Sequence, residues 1–92
     1  MKYLGIDYGS KKVGFAQSDD EGRLAFPLMI SLNDKILLKD TLELIREMKF
    51  HAVVIGESVE GNGKLNPIAK EARKFGMEIE NSIDVQVIFE KE

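Results

Sequence analysis

A chain of 92 residues makes one domain and excludes two independent cores, because folding at this length buries only roughly 60–65% of the extended surface. Hydrophobic residues at 43% and charged residues at 32% give an ordinary globular balance and exclude a disordered chain. With a net charge of −3, no cysteine and one histidine, the chain is not a generally basic nucleic-acid binder, holds no disulfide and has no thiolate zinc site.

The first strand reads Lys2-Tyr3-Leu4-Gly5-Ile6-Asp7, and Tyr8-Gly9-Ser10-Lys11 forms the turn after it. From Lys12 to Ser18 the chain keeps strand period: Val13, Phe15 and Gln17 share one side, Gly14 and Ala16 the other. Asp19-Asp20-Glu21-Gly22 closes that strand with a turn. Arg23 to Leu32 is a third extended run, where Pro27 predicts an edge strand or a bulge because proline cannot donate to the ladder.

The period then changes. Asn33 or Asp34 is placed to cap a helix with Ile36, Leu37, Leu38, Leu42, Leu44, Ile45 and Met48 on its apolar face. Ala52-Val53-Val54-Ile55 is an uninterrupted apolar run typical of a central strand covered on both faces. A loop from Gly56 to Leu65 contains the flexible cluster Gly61-Asn62-Gly63. Asn66-Pro67 then starts a second helix, lined inside by Ile68, Ala72, Phe75 and Ile79. Asp84 to Phe89 is the last strand. The order β-β-β-α-β-α-β predicts an α/β fold: a leading antiparallel meander, two helical crossovers and a mixed sheet. No apolar stretch reaches the ~20 residues of a membrane span, and the opening is not a signal peptide, so a cytoplasmic location without membrane is expected.

Three carboxylate positions carry candidate chemistry. Asp7 ends an apolar strand just before a glycine turn, whose backbone N–H groups can approach an anion closely. Taken alone, Asp7 could equally cap the turn through an Asx hydrogen bond. Glu57 ends the buried fourth strand, where α/β sheets gather ligand sites, although an isolated loop glutamate would be simply exposed. Glu90-Lys91-Glu92 closes the last strand and, alone, reads as a solvated terminus. Convergence of these ends would bring carboxylates together, with a divalent cation as compensation. The donors are oxygens, which points to magnesium, manganese or calcium rather than zinc (Mg2+ or Mn2+ for hydrolysis), and Asp7 and Glu57 could come within one ion's reach. Metal-assisted phosphodiester hydrolysis is then the matching chemistry, since no serine–histidine or cysteine–histidine pair exists. His51 lies at the opposite end of strand four from Glu57 and reads as structural. Cations for a polyanion are Lys11, Lys12 and Lys64, with Gly9 and Ser10 adding donors at the turn; Lys70, Arg73 and Lys74 read as solvated helix surface.

The run from Leu4 to Asp19, containing Gly5-Ile6-Asp7-Tyr8-Gly9-Ser10-Lys11-Lys12-Val13-Gly14, resembles the opening of the YqgF/RuvX family. Those are bacterial ribonuclease-H-like proteins described as pre-16S rRNA nucleases or Holliday junction resolvases. Pro27, the strand Val53-Val54-Ile55-Gly56 and the helix with Phe75 agree in order, so the resemblance covers nearly the whole chain. It implies a ribonuclease-H-like fold, with Asp7 as first metal-binding acid and Lys11 or Lys12 on a backbone phosphate. The family's Gly-Leu-Pro after strand four is here Gly56-Glu57-Ser58, which places an acid where related RuvC resolvases have one. Its Asp-Glu-Arg after strand five is here Glu90-Lys91-Glu92, with Glu90 in the acidic place. Family members continue into a Ser/Thr-Thr segment and a final helix with a further acid, whereas this sequence stops at Glu92. An uncovered apolar sheet surface, and hence self-association as a homodimer, is the expectation.

The function that follows is a metal-dependent nuclease acting on structured nucleic acid, either precursor 16S rRNA at its 5′ end or branched DNA. Two alternatives stay open here. One is an ATP-phosphate-binding module of the actin/Hsp70 type, which uses a similar Asp-x-Gly-Ser hairpin. The other is a catalytically silent dimerising scaffold.

Overall fold

A computed structural model describes residues 2–18, 25–57 and 66–91. The elements are β1 (Tyr3–Tyr8), β2 (Lys12–Ser18), β3 (Ala25–Leu32), α1 (Leu37–Met48), β4 (Ala52–Glu57), α2 (Pro67–Ser82) and β5 (Gln86–Lys91). The expected order of strands and helices is therefore present. The five strands form one sheet in the order β3-β2-β1-β4-β5. β1 pairs with β2 and β2 with β3 antiparallel, while β1–β4 and β4–β5 are parallel.

Strand alternation decides the two faces. Leu4 and Ile6 of β1, Val13 and Phe15 of β2, and Val53 and Ile55 of β4 are all buried in one cluster with Leu37, Ile45, Ala72, Phe75 and Ile79 of the helices. Both helices thus cover the same side of the sheet. Tyr8 continues that row by packing its ring 5.3 Å from Phe75. The residues between them, Gly5, Asp7, Gly14, Ala16, Val54 and Gly56, belong to the opposite face.

Pro27 sits on an edge strand, as its missing donor requires, and it also marks an irregularity. Phe15 pairs with Met29 but Ala16 pairs with Pro27, so β3 carries an extra residue at Leu28. Arg23 and the acidic turn lie outside the described residues.

The first helix departs from the expected start. It is capped at Ile36, with no side-chain cap hydrogen bond. Asp34 instead accepts the Ile36 N–H at 3.1 Å in a local turn, and Asn33 is engaged elsewhere. Ile36 is 55% exposed and leaves the apolar face, because the residue ahead of the first turn does not share the helical phase. The end of α1 is a left-handed Lys49 (φ 55°) whose N–H reaches Ile45 O. Thr41 is fully buried and donates its hydroxyl to Leu37 O at 2.8 Å, so the polar group is satisfied.

The second helix starts as the sequence predicts: Asn66 accepts the Ala69 N–H at 2.8 Å and Pro67 takes the first helical position. Gly76 faces the sheet so closely that a Cβ there would lie 2.5 Å from Phe89 Cζ and 2.9 Å from Ile55 Cδ1. This helix therefore lies directly on β4 and β5. The last strand begins at Gln86, two residues later than the expected Asp84.

Candidate active site

Asp7 is exposed, on the face opposite the helices. Its neighbours in β1 explain why: Leu4 and Ile6 are drawn into the core, and period-two alternation turns the residue between them and Tyr8 outward. Across the β1–β2 ladder Asp7 pairs with Gly14. Across β1–β4 the register runs Leu4–Val53, Gly5–Val54, Ile6–Ile55, and one further step brings Gly56 beside Asp7. Asp7, Gly5, Gly14, Ala16, Val54 and Gly56 line one open concavity of about 740 Å³, walled on the far side by Pro27 to Ile30 of β3. The carboxylate thus stands on a floor of small or absent side chains.

Glu90 enters the same row from the other side. It pairs with Gly56 in the β4–β5 ladder and is exposed. With Phe89 packed beneath Gly76 of α2, alternation sets Glu90 on the open face with Asp7. Two strand spacings, roughly 9–10 Å, separate the two backbones, and the residue between them has no side chain. The structure therefore aligns positions 7, 56 and 90. Glu57 is one residue further along β4, with its backbone paired to Lys91; its side chain lies outside the described part. The β4 position that neighbours Asp7 is Gly56.

Among the described residues no three Asp, Glu, His or Cys side chains converge. A pair of carboxylates on an open face still fits magnesium or manganese, since magnesium retains several waters and takes one or two protein carboxylates. Nitrogen ligation is not available there. His51 is at the far end of β4, its ring edge-on to Tyr3 at 5.6 Å and its N–H donating to Lys2 O at 2.8 Å. That is the structural role expected of it.

Immediately after Asp7, the turn brings Gly9, Ser10, Lys11 and Lys12, of which the last three are exposed. A Cβ on Gly9 would lie 2.5 Å from Lys12 O, a backbone atom that cannot retreat, so only glycine closes this turn. Two hydrogen bonds from one residue hold it: Asn33 Nδ2 donates to Gly9 O at 2.8 Å and Asn33 N donates to Lys11 O at 2.9 Å. In the sequence Asn33 has only the signature of a helix cap; its partner Gly9 is 24 residues away, and no local pattern signals that pairing. Lys64 lies outside the described residues. On α2, Lys70 and Lys74 are exposed as expected, while the Arg73 guanidinium lies 5.3 Å from the Phe89 ring centroid and so also packs on β5.

The comparisons agree with this architecture. The model of the family described as "RuvX: Holliday junction resolvase" matches residues 1–92. A protein of Rickettsia felis named "Putative pre-16S rRNA nuclease" is 35% identical over 91 residues, covering 97% of this chain and 59% of its own length. The chain thus spans about three-fifths of that curated relative. Thermus thermophilus RuvC superposes with a TM-score of 0.72 at 18% identity, over 99% of this chain and 64% of that one. The fowlpox virus Holliday junction resolvase gives 0.57 at 16% identity, over 99% and 61%. These likenesses show a RuvC-like, ribonuclease-H-like fold. Matched along its whole length by the family model, the chain belongs to the RuvX family.

Proposed function

We propose that the chain is the core of a metal-dependent nuclease that hydrolyses phosphodiesters in structured nucleic acid, with Asp7, Glu57 and Glu90 as its acids. The observation that carries this reading is Asp7, exposed at the end of β1 on a glycine floor with Glu90 in the same row. Such a floor lets a bulky sugar-phosphate chain approach the carboxylate without side chains in the way. Asp7 and Glu57, with Glu90, would hold Mg2+ or Mn2+. A bound hard cation supplies polarisation of a phosphoryl oxygen and an acidified water. Lys11 and Lys12, with the turn at Gly9 and Ser10, neutralise and position a flanking phosphate, and Lys64 adds a cation from the loop. In the hydrolysis itself a water oxygen bonds to phosphorus as one ester oxygen leaves.

The name of the Rickettsia relative supports precursor 16S rRNA as substrate, and the family description supports a four-way DNA junction; maturation at the 5′ end of that rRNA, in the cytoplasm, belongs to the same proposal. Incubating the chain with Mn2+ and each substrate separately tests both, with Asp7→Asn as the control for contaminating nuclease. Cleavage of one substrate that Asp7→Asn abolishes is the expected result. A thermal shift with ATP and none with Mg2+ or Mn2+ would replace the nuclease by the phosphate-hairpin reading.

A homodimer belongs to the same proposal. Among the described residues, no charged side chain interrupts the edge strand β3, and it leaves Ile30 73%, Leu32 65% and Phe26 49% exposed. An uncharged apolar edge with free backbone groups invites pairing with a second copy.

A further inference from the structure

We infer that Asn33 is a positioning residue for phosphate recognition, acting through the peptide between Gly9 and Ser10. This inference rests on the nuclease reading above and adds a residue to it.

Gly9 O accepts from Asn33 Nδ2 at 2.8 Å, which draws that carbonyl toward the junction between β3 and α1. The described residues contain no cis peptide bond. In a planar trans peptide the carbonyl and the following N–H point in opposite directions. Holding Gly9 O toward Asn33 therefore aims the Ser10 N–H away from it, and Ser10 is exposed. An outward N–H is a donor for an anionic oxygen; an outward carbonyl would repel one.

The second bond prevents the clamp from slipping. Asn33 N donates to Lys11 O at 2.9 Å, so one residue grips the turn on both sides of Ser10. Asn33 is half-buried, and the main chain around it is fixed because Leu32 is the β3 partner of Lys12. Without the side-chain amide, Gly9 O loses its partner and the peptide is free to rotate about its flanking bonds, which glycine does at little cost. Lys11 and Lys12 would keep their charges. What is lost is the aimed donor between Asp7 and the lysines.

The test compares Asn33→Ala, which removes the amide without adding charge, with Asn33→His, whose Nδ1–H occupies the place of the amide nitrogen. Measurements at pH 8 keep the introduced imidazole neutral. Two affinities are read on the 92-residue chain: that for a fluorescently labelled RNA hairpin, by anisotropy, and that for Mn2+, by calorimetry. Losing one charge-assisted hydrogen bond corresponds to a factor of about ten or more in Kd. Asn33→Ala is expected to weaken the hairpin about ten-fold while Mn2+ binding is unchanged, and Asn33→His is expected to restore most of the hairpin affinity. A purely structural role would weaken both ligands together and would overturn the inference, as would an unchanged hairpin affinity in Asn33→Ala. If Asn33→Ala does not fold, the unmodified chain decides: the Ser10 amide proton must move downfield on hairpin addition, and no movement overturns the assignment. Failure of the unmodified chain to bind either the hairpin or a four-way DNA junction would remove the nuclease reading and this inference with it, whereas binding that ignores Asn33 would remove this inference alone.

Discussion

Asp7 and Glu90 stand in one transverse row of the open sheet face with only Gly56 between them, because Gly56 pairs with Glu90 and lies one register step from the Ile6–Ile55 pair. A bulkier residue at that position would separate the two carboxylates. Substituting Gly56→Val is therefore expected to reduce Mn2+ affinity while the melting temperature stays within a few degrees, read by calorimetry and circular dichroism. Unchanged manganese binding would show that the two acids do not act across this gap.

Removing charge from Asp7 is expected to abolish metal-dependent cleavage and leave the fold intact. The side chain is exposed and makes no contact in the core, so Asp7→Asn should shift stability by no more than about 0.5 kcal/mol. Gel-based cleavage and thermal melting on the same preparation check both halves. Retained cleavage would remove Asp7 from the chemistry.

Glu57 and Glu90 make competing claims on the second ligand place. The β4–β5 register sets Glu90 beside Gly56 and Glu57 beside Lys91. Glu90→Gln is accordingly expected to weaken Mn2+ more than Glu57→Gln does, by several-fold. The reverse order in calorimetric titrations would transfer the role to Glu57.

Gly76→Ala sets two effects against each other. Alanine favours an α-helix over glycine by about 0.8–1 kcal/mol. Against this, the added methyl would sit 2.5 Å from the Phe89 ring and 2.9 Å from Ile55, and overpacking a core costs about 1–3 kcal/mol. The clash wins, and a net loss of about 1 kcal/mol is expected in urea denaturation. Lys49→Gly should act oppositely, gaining about 0.5–1 kcal/mol, because Lys49 holds a left-handed conformation at φ 55°.

Self-association along β3 is expected to disappear in Ile30→Lys, since a charge on an edge strand blocks further pairing. Light scattering on both proteins reads the result. A monomeric unmodified chain would exclude the edge as an interface.

Much of this architecture was legible in local patterns. Leu4, Ile6, Val13 and Phe15 alternate as strand residues must, Pro27 marks an edge, and Asn66-Pro67 opens a helix, because each signal depends only on near neighbours along the chain. The start of the first helix was not legible for a related reason: Asn33 has the chemistry of a cap, and whether it caps or bonds elsewhere depends on what lies across from it. The acidic strand ends and their convergence were legible as well, but which β4 residue neighbours Asp7 was not.

By itself the sequence settled the order of strands and helices, though not their ends, and that any metal chemistry here runs through oxygen ligands, since those properties are written in side-chain type and period. Only the tertiary structure decided that Gly56, not Glu57, neighbours Asp7, that Glu90 shares its row, and that Asn33 grips the Gly9 turn. Register between strands distant in sequence is set by packing of the whole sheet against its helices, and a one-residue step there exchanges which side chain each face receives.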